Sequence, residues 1–141
     1  MDDILKERLE FLSRVPIFRN IKEKHLKSIA LSGEEMEYEA GKVIVKEGES
    51  GVGFYLILDG RAEVKKRGEK LAELCKGDYF GEIALLDGGP RTADVIAAEH
   101  TKALLIMRWD FLAFIKENSE VAVALLEAVC ERLRRQAELT D

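Results

Sequence analysis

Residues 54–65 read Phe54-Tyr55-Leu56-Ile57-Leu58-Asp59-Gly60-Arg61-Ala62-Glu63-Val64-Lys65. An unbroken apolar run meets the turn dipeptide Asp59-Gly60, and beyond it apolar and polar side chains alternate strictly. This pattern predicts two strands joined by a tight hairpin. Upstream, Val43-Ile44-Val45 precedes the break Gly48-Glu49-Ser50-Gly51. Downstream, 70–75, 92–97 and 103–107 are further short apolar stretches bounded by glycine and charge. Strands this short, this evenly spaced and separated by turn chemistry predict a small antiparallel barrel or double-sheet roll.

Both flanks have a different period. Ile4, Leu5, Arg8, Leu9, Phe11 and Leu12 recur at helical spacing until Pro16, and a second helix fits 21–30, closed by Gly33. At the other end, 110–115 suits a short helix, with Trp109 as a core anchor beside it. Asn118-Ser119 then supplies an N-cap signal for a long helix over 120–138. That helix carries two stripes. Ala122, Leu126, Val129 and Leu133 form one; Val121, Leu125 and Ala128, continuing into Arg132, Arg135 and Leu139, form the other. Two stripes suit two partners: the domain itself, and a second subunit or a ligand.

The 141 residues fit one domain, and the net charge of -5 (22 Lys and Arg against 27 Asp and Glu) disfavours binding to spread-out polyanions. The acidic N-terminus lacks a signal peptide's apolar core, and no apolar stretch is long enough to span a bilayer. Cys75 and Cys130 have no metal-ligand spacing, and His25 and His100 are too few for a histidine metal site. Reduced packing thiols and a cytoplasmic, metal-free chain without a cofactor are expected.

The chemistry concentrates in Gly77-Asp78-Tyr79-Phe80-Gly81-Glu82-Ile83-Ala84-Leu85-Leu86-Asp87-Gly88-Gly89-Pro90-Arg91-Thr92-Ala93. A strand end, a turn at Gly81 and an apolar half-turn aim free backbone N–H groups outward, where an anion can accept from them. Arg91 returns to the same place and can meet an anion with two parallel N–H bonds, and Thr92 adds a hydroxyl. Glu82 cannot favour a phosphate by charge, so its role there is to accept from a neutral donor such as a sugar hydroxyl. Taken singly, Glu82 could simply serve a helix N-terminus and Arg91 could pair with Asp87.

Phe80-Gly81-Glu82-Ile83-Ala84-Leu85 with Pro90-Arg91-Thr92-Ala93 resembles the phosphate-binding cassette of cyclic nucleotide-binding domains. This is the sensor of catabolite-activator-type regulators and of protein kinase A regulatory subunits. Glu47-Gly48-Glu49 with 54–60 is similar to that family's glycine-punctuated hairpins, and Val15-Pro16-Ile17-Phe18 to its helical entry. The resemblance implies an α+β, mainly β fold: an antiparallel, jelly-roll-like β-roll (a double-stranded β-helix) flanked by N-terminal helices and a long C-terminal helix. It implies one domain over 1–141, with a helical entry at 1–34, the roll at 35–108 holding the cassette at 80–93, and C-terminal helices at 109–141.

The resemblance also implies a site. Glu82 would accept from the ribose 2′-OH and Arg91 would pair with the cyclic phosphate. The Ile83 and Ala84 N–H groups and Thr92 would complete the phosphate shell, Ala93 is a further ligand-binding candidate, and Gly81 would permit close approach. Val64 and Leu74 are candidates for the apolar wall, Phe80 for the core or rim beside the ligand, and Arg132, Arg135 and Leu139 for base contact from a lid formed by the last helix. Asp94 departs from the family pattern and would lie outward or weaken anion binding.

The expected function is a regulatory module for cyclic AMP or, failing that, cyclic GMP. It would act through ligand-induced repositioning of the last helix. No nucleophile and base stand at credible spacing, so an enzyme is not expected. The alternatives are the sensor part of a catabolite-activator-type transcription regulator or other larger effector, or a degenerate interaction domain. A homodimer or effector contact through the last helix is expected, without membrane contact. Direct nucleic-acid binding is not expected if nothing follows Asp141.

Overall fold

The structure, a computed structural model, describes residues 2–140, with side chains described as far as Glu138. It is mainly β with flanking helices. Eight strands build two antiparallel four-stranded sheets. In chain order they are β1 (Glu34–Tyr38), β2 (Val43–Val45), β3 (Gly53–Asp59), β4 (Arg61–Lys66), β5 (Glu69–Cys75), β6 (Tyr79–Phe80), β7 (Asp94–Ala97) and β8 (Thr101–Met107). One sheet runs β1-β8-β3-β6 and the other β2-β7-β4-β5. The helices are α1 (Asp3–Ser13), α2 (Glu23–Leu31), α3 (Glu82–Asp87), α4 (Arg108–Glu117) and α5 (Ser119–Thr140), with a 3-10 turn at Pro16–Phe18.

Packing groups the chain into two units, one of residues 33–111 and one of residues 1–32 with 112–141. In the first, β3 is apolar without alternation because it is buried on both faces from Gly53 to Ile57. It pairs with β8, Tyr55 opposite Leu105 and Leu56 opposite Leu104. β4 keeps its alternation between β5 and β7, with Val64 opposite both Ala72 and Val95. Tyr55, Ile57, Ala103 and Leu105 form the interior cluster, and Met36, Tyr38, Leu74 and Phe80 pack against it.

In the second unit, Asp2 caps α1 by accepting from the Leu5 N–H at 2.7 Å. Val121, Leu125 and Ala128 are the buried stripe of α5, and Arg19 pairs with Glu131 at 3.1 Å. The other stripe is open, with Leu126 64% and Leu133 59% exposed. Asn118 lies between α4 and α5: its side-chain amide donates back to the Phe114 carbonyl at 3.0 Å, and its backbone carbonyl accepts from the Val121 N–H at 2.9 Å. Trp109 is 58% exposed on the first turn of α4, which corrects its expected place in the core. Both cysteines are exposed thiols, which corrects their reading as packing residues. No helix among the described residues is long and apolar enough to cross a membrane.

Candidate functional site

The site is assembled by a glycine turn, a six-residue helix and one arginine. Gly81 precedes α3 with φ +88, a conformation that L side chains adopt at a cost. A Cβ there would run into the Arg91 guanidinium and stand 2.7 Å from the Gly53 carbonyl oxygen. The position therefore needs glycine twice over. Beyond it, the first N–H groups of α3 have no intrahelical acceptor, so Ile83 and Ala84 present donors at its start.

Arg91 is held in place by its own backbone. Its N–H donates to the Glu49 carbonyl at 2.8 Å, and its carbonyl accepts from the Gly48 N–H at 2.9 Å. The Gly51 N–H donates to the Gly89 carbonyl at 2.9 Å, fixing the turn that precedes it. The side chain folds inward and is only 8% exposed. Nη2 donates to the Gly53 carbonyl at 2.6 Å, and the guanidinium carbon lies 5.8 Å over the Tyr55 ring. Tyr55 in turn stacks on Phe80, with centroids 4.8 Å apart and planes 6° from parallel. Among the described residues the structure draws no ion pair to Arg91. Burial pushes its guanidinium below the ordinary arginine value, while Tyr55 and Glu82 act weakly the other way. Arginine nevertheless stays protonated, so the interior wall carries a buried positive charge that feels the Glu82 charge but has no ion pair drawn to it among the described residues.

The surface pairing that could have explained Arg91 without a ligand is not made. Asp87 instead accepts from the Gly89 N–H at 2.8 Å, shaping the turn. Asp94 also has structural work, since its carboxylate accepts from the Glu47 N–H at 2.7 Å. Tyr55 also neighbours Tyr38, whose phenol burial first, and then Tyr55, push up to about 12.

A cavity of about 510 Å³ opens in front of these groups. Phe80, Gly81, Glu82, Ile83, Ala84, Arg91, Thr92 and Ala93 all line it, and Val64 contributes the apolar side. Ile83 stands at the rim, 48% exposed. Leu74 packs into the interior cluster and is not part of this lining. Arg132 and Arg135 are exposed on α5, which belongs to the other unit, and the Leu139 side chain lies outside the described residues. Four contributors escaped the sequence reading. Val45 and Val95 extend the apolar wall, Gly53 supplies the acceptor for Arg91, and Tyr55 supplies the ring beneath it. The one signal for Tyr55 was its hydroxyl inside an otherwise apolar run; for the Gly53 carbonyl there was none.

Residues 35–118 match the family model described as cyclic nucleotide-binding domain. The chain belongs to the cyclic nucleotide-binding domain family. Among curated relatives of this domain, the cAMP-dependent protein kinase regulatory subunit of Eremothecium gossypii is 39% identical over 120 residues, 82% of this chain and 26% of that protein. The protein of the same description from Dictyostelium discoideum is 36% identical over 122 residues, 79% of this chain and 37% of that protein. The chain thus spans well under half the length of these relatives. Among solved structures, the N-terminal domain of a transcriptional regulator from Streptomyces coelicolor A3(2) superposes with a TM-score of 0.83 at 29% identity, covering 91% of this chain and 95% of that one. Thermus thermophilus Catabolite Activator Protein gives a TM-score of 0.67 at 32% identity, over 89% of this chain and 61% of that one.

Proposed function

We propose that the cavity binds a cyclic nucleotide, with cyclic AMP preferred over cyclic GMP, and that the chain is a regulatory module that performs no chemistry of its own. The observation that carries this reading is Arg91, a buried guanidinium that has a carbonyl and an aromatic face but no ion pair drawn to it among the described residues. A single phosphate monoanion at the cavity wall would complete it with charge-assisted bonds, a partner that an overall acidic chain can hold locally. In this reading the Ile83 and Ala84 N–H groups, Thr92 and Ala93 complete the phosphate shell. Glu82 accepts from the ribose 2′-OH, and Phe80 and Val64 face the apolar parts of the ligand. The descriptions of the relatives, cAMP-dependent protein kinase regulatory subunits, support the adenine nucleotide.

Binding acts by population shift: the ligand favours one arrangement of the C-terminal helices over another, and that difference in affinity is the signal. The resemblance to the transcriptional regulator and to Catabolite Activator Protein supports a second reading, in which the chain is the sensor of a larger effector. A partner contact fits α5. Val123, Leu126, Cys130, Leu133 and Ala137 are exposed at heptad spacing, and Glu127 and Arg134 flank them with opposite charge. An antiparallel second copy would place each Glu127 beside the other's Arg134. This reading places the chain in the cytoplasm.

Titration calorimetry with both nucleotides decides the central point. Wild type is expected to bind cyclic AMP at one site per chain and more tightly than cyclic GMP, with Arg91→Ala weakened about a hundredfold or more. Absence of heat with either nucleotide at millimolar concentration would overturn the reading and leave a non-binding interaction domain.

A further inference from the structure

One charged side chain outside the cavity lining is built into the same loop system. Arg108 opens α4 directly after β8. Its backbone N–H donates to the Val52 carbonyl at 2.8 Å, between the two glycines that hold Gly89 and Arg91. Its side chain reaches the opposite end of the cassette, where Nη2 donates to the Leu86 carbonyl at 3.1 Å in the last turn of α3. On the way it passes close to Gly88, the αL residue that ends α3 with φ +68; a Cβ at Gly88 would stand 3.2 Å from Nε. Nε itself is buried and makes no hydrogen bond.

A helix of six residues has few carbonyls bonded within itself, so its carboxyl end depends on outside donors and on nearby positive charge. Arg108 supplies both. A buried N–H without a partner costs free energy, and Arg108 carries that cost where it passes Gly88. Side chain and backbone of one residue thus grip α3 at one end and the 51–53 loop at the other. Arg108 is also the residue from which the chain leaves β8 toward the helical segments.

We infer that Arg108 is a positioning residue for the nucleotide site, tying the carboxyl end of α3 and the 51–53 loop to the first turn of α4. Ligand capture at the start of α3 is thereby felt at the first turn of α4. This inference rests on the nucleotide reading of the cavity.

Trp109, the next residue and the only tryptophan, is exposed on that first turn and serves as a reporter. The test combines calorimetric affinity for cyclic AMP with the change in Trp109 emission at saturating nucleotide. It uses wild type, Arg108→Met, Arg108→Gln and Arg108→Lys, each checked for folding by circular dichroism. Wild type is expected to bind and to shift its emission. Arg108→Met and Arg108→Gln should bind about tenfold more weakly or worse and, even when saturated, show less than about half of the wild-type emission change. Arg108→Lys, which keeps the charge and one donor, should recover affinity to within about threefold of wild type. Either of the first two variants suffices if the other does not fold. Wild-type affinity in those variants would overturn the inference. So would weakened binding with a full emission change at saturation, because that is the signature of a merely structural residue. If wild type binds neither nucleotide, the functional reading falls first and this one with it; if wild type binds and the variants match it, Arg108 alone is excluded.

Discussion

On the β4–β5 hairpin, Arg61 stands 2.8 Å from Glu73 and 3.5 Å from Glu63, and Lys70 stands 3.2 Å from Glu73. Thirty positions later in the chain, Arg91 lies buried on a carbonyl and a tyrosine ring with no ion pair drawn to it among the described residues. The Glu73 bond holds the Arg61 guanidinium above the ordinary value, and Lys70 and then Arg61 hold the Glu73 carboxyl below its own; burial moves Arg91 the opposite way. The hairpin uses many charges at little consequence, because water and salt screen exposed pairs. The cassette uses one charge at high consequence, because a buried cation without an ion-pair partner is unfavourable until a ligand arrives. Charge counts therefore say little about where this chain would act. Compensation says more.

The largest effect expected from breaking this contrast is at Arg91 itself. Arg91→Lys keeps the charge but loses the planar pair of donors and the stack on Tyr55, and cyclic AMP affinity should fall about thirtyfold or more in a binding titration. Retained affinity would show that charge alone suffices there. Glu82 comes next. Wild type should prefer cyclic AMP over its 2′-deoxy analogue by about tenfold, and Glu82→Gln should shrink that preference to about threefold or less. An unchanged ratio would remove Glu82 from the sugar.

On the hairpin, replacing both Arg61 and Glu73 with alanine should leave the affinity unchanged and move Tm by no more than about 2 °C. A large loss of either would mean that the exposed pairs matter as much as the buried arginine. The smallest effect sits at another exposed cluster. Hydrogen bonds that the imidazole donates first to Glu37 and then to Glu39 hold His100 above its ordinary value of 6.5. The stabilisation is complete below that ordinary value and is lost as pH rises through the raised one. Glu37→Gln should lower the His100 midpoint in an NMR titration; an unmoved midpoint would deny the contact.

The same contrast explains what was legible in the sequence. Alternation and turn dipeptides are local, so β2 to β5 and the Asp59-Gly60 hairpin could be read directly. β1 escaped because Glu34, Glu35 and Glu37 dominate it, although Met36 and Tyr38 still alternate toward the interior. Gly81, Glu82 and Arg91 stood out through their spacing, and the structure gathers them at one cavity. The acceptor for Arg91 could not be read, because a backbone carbonyl has no letter and Gly53 meets it only through the fold. Nor could the exposure of Trp109: residue type says indole, while exposure depends on what packs beside it.

Thermal unfolding of wild type and Arg91→Met, each with and without millimolar cyclic AMP, tests most directly whether the buried guanidinium awaits an anion. Wild type should gain several degrees on adding nucleotide, whereas Arg91→Met should gain none and, ligand-free, should be at least as stable as wild type because the uncompensated charge is gone. An equal gain in both proteins, or a ligand-free Arg91→Met that unfolds well below wild type, would contradict it.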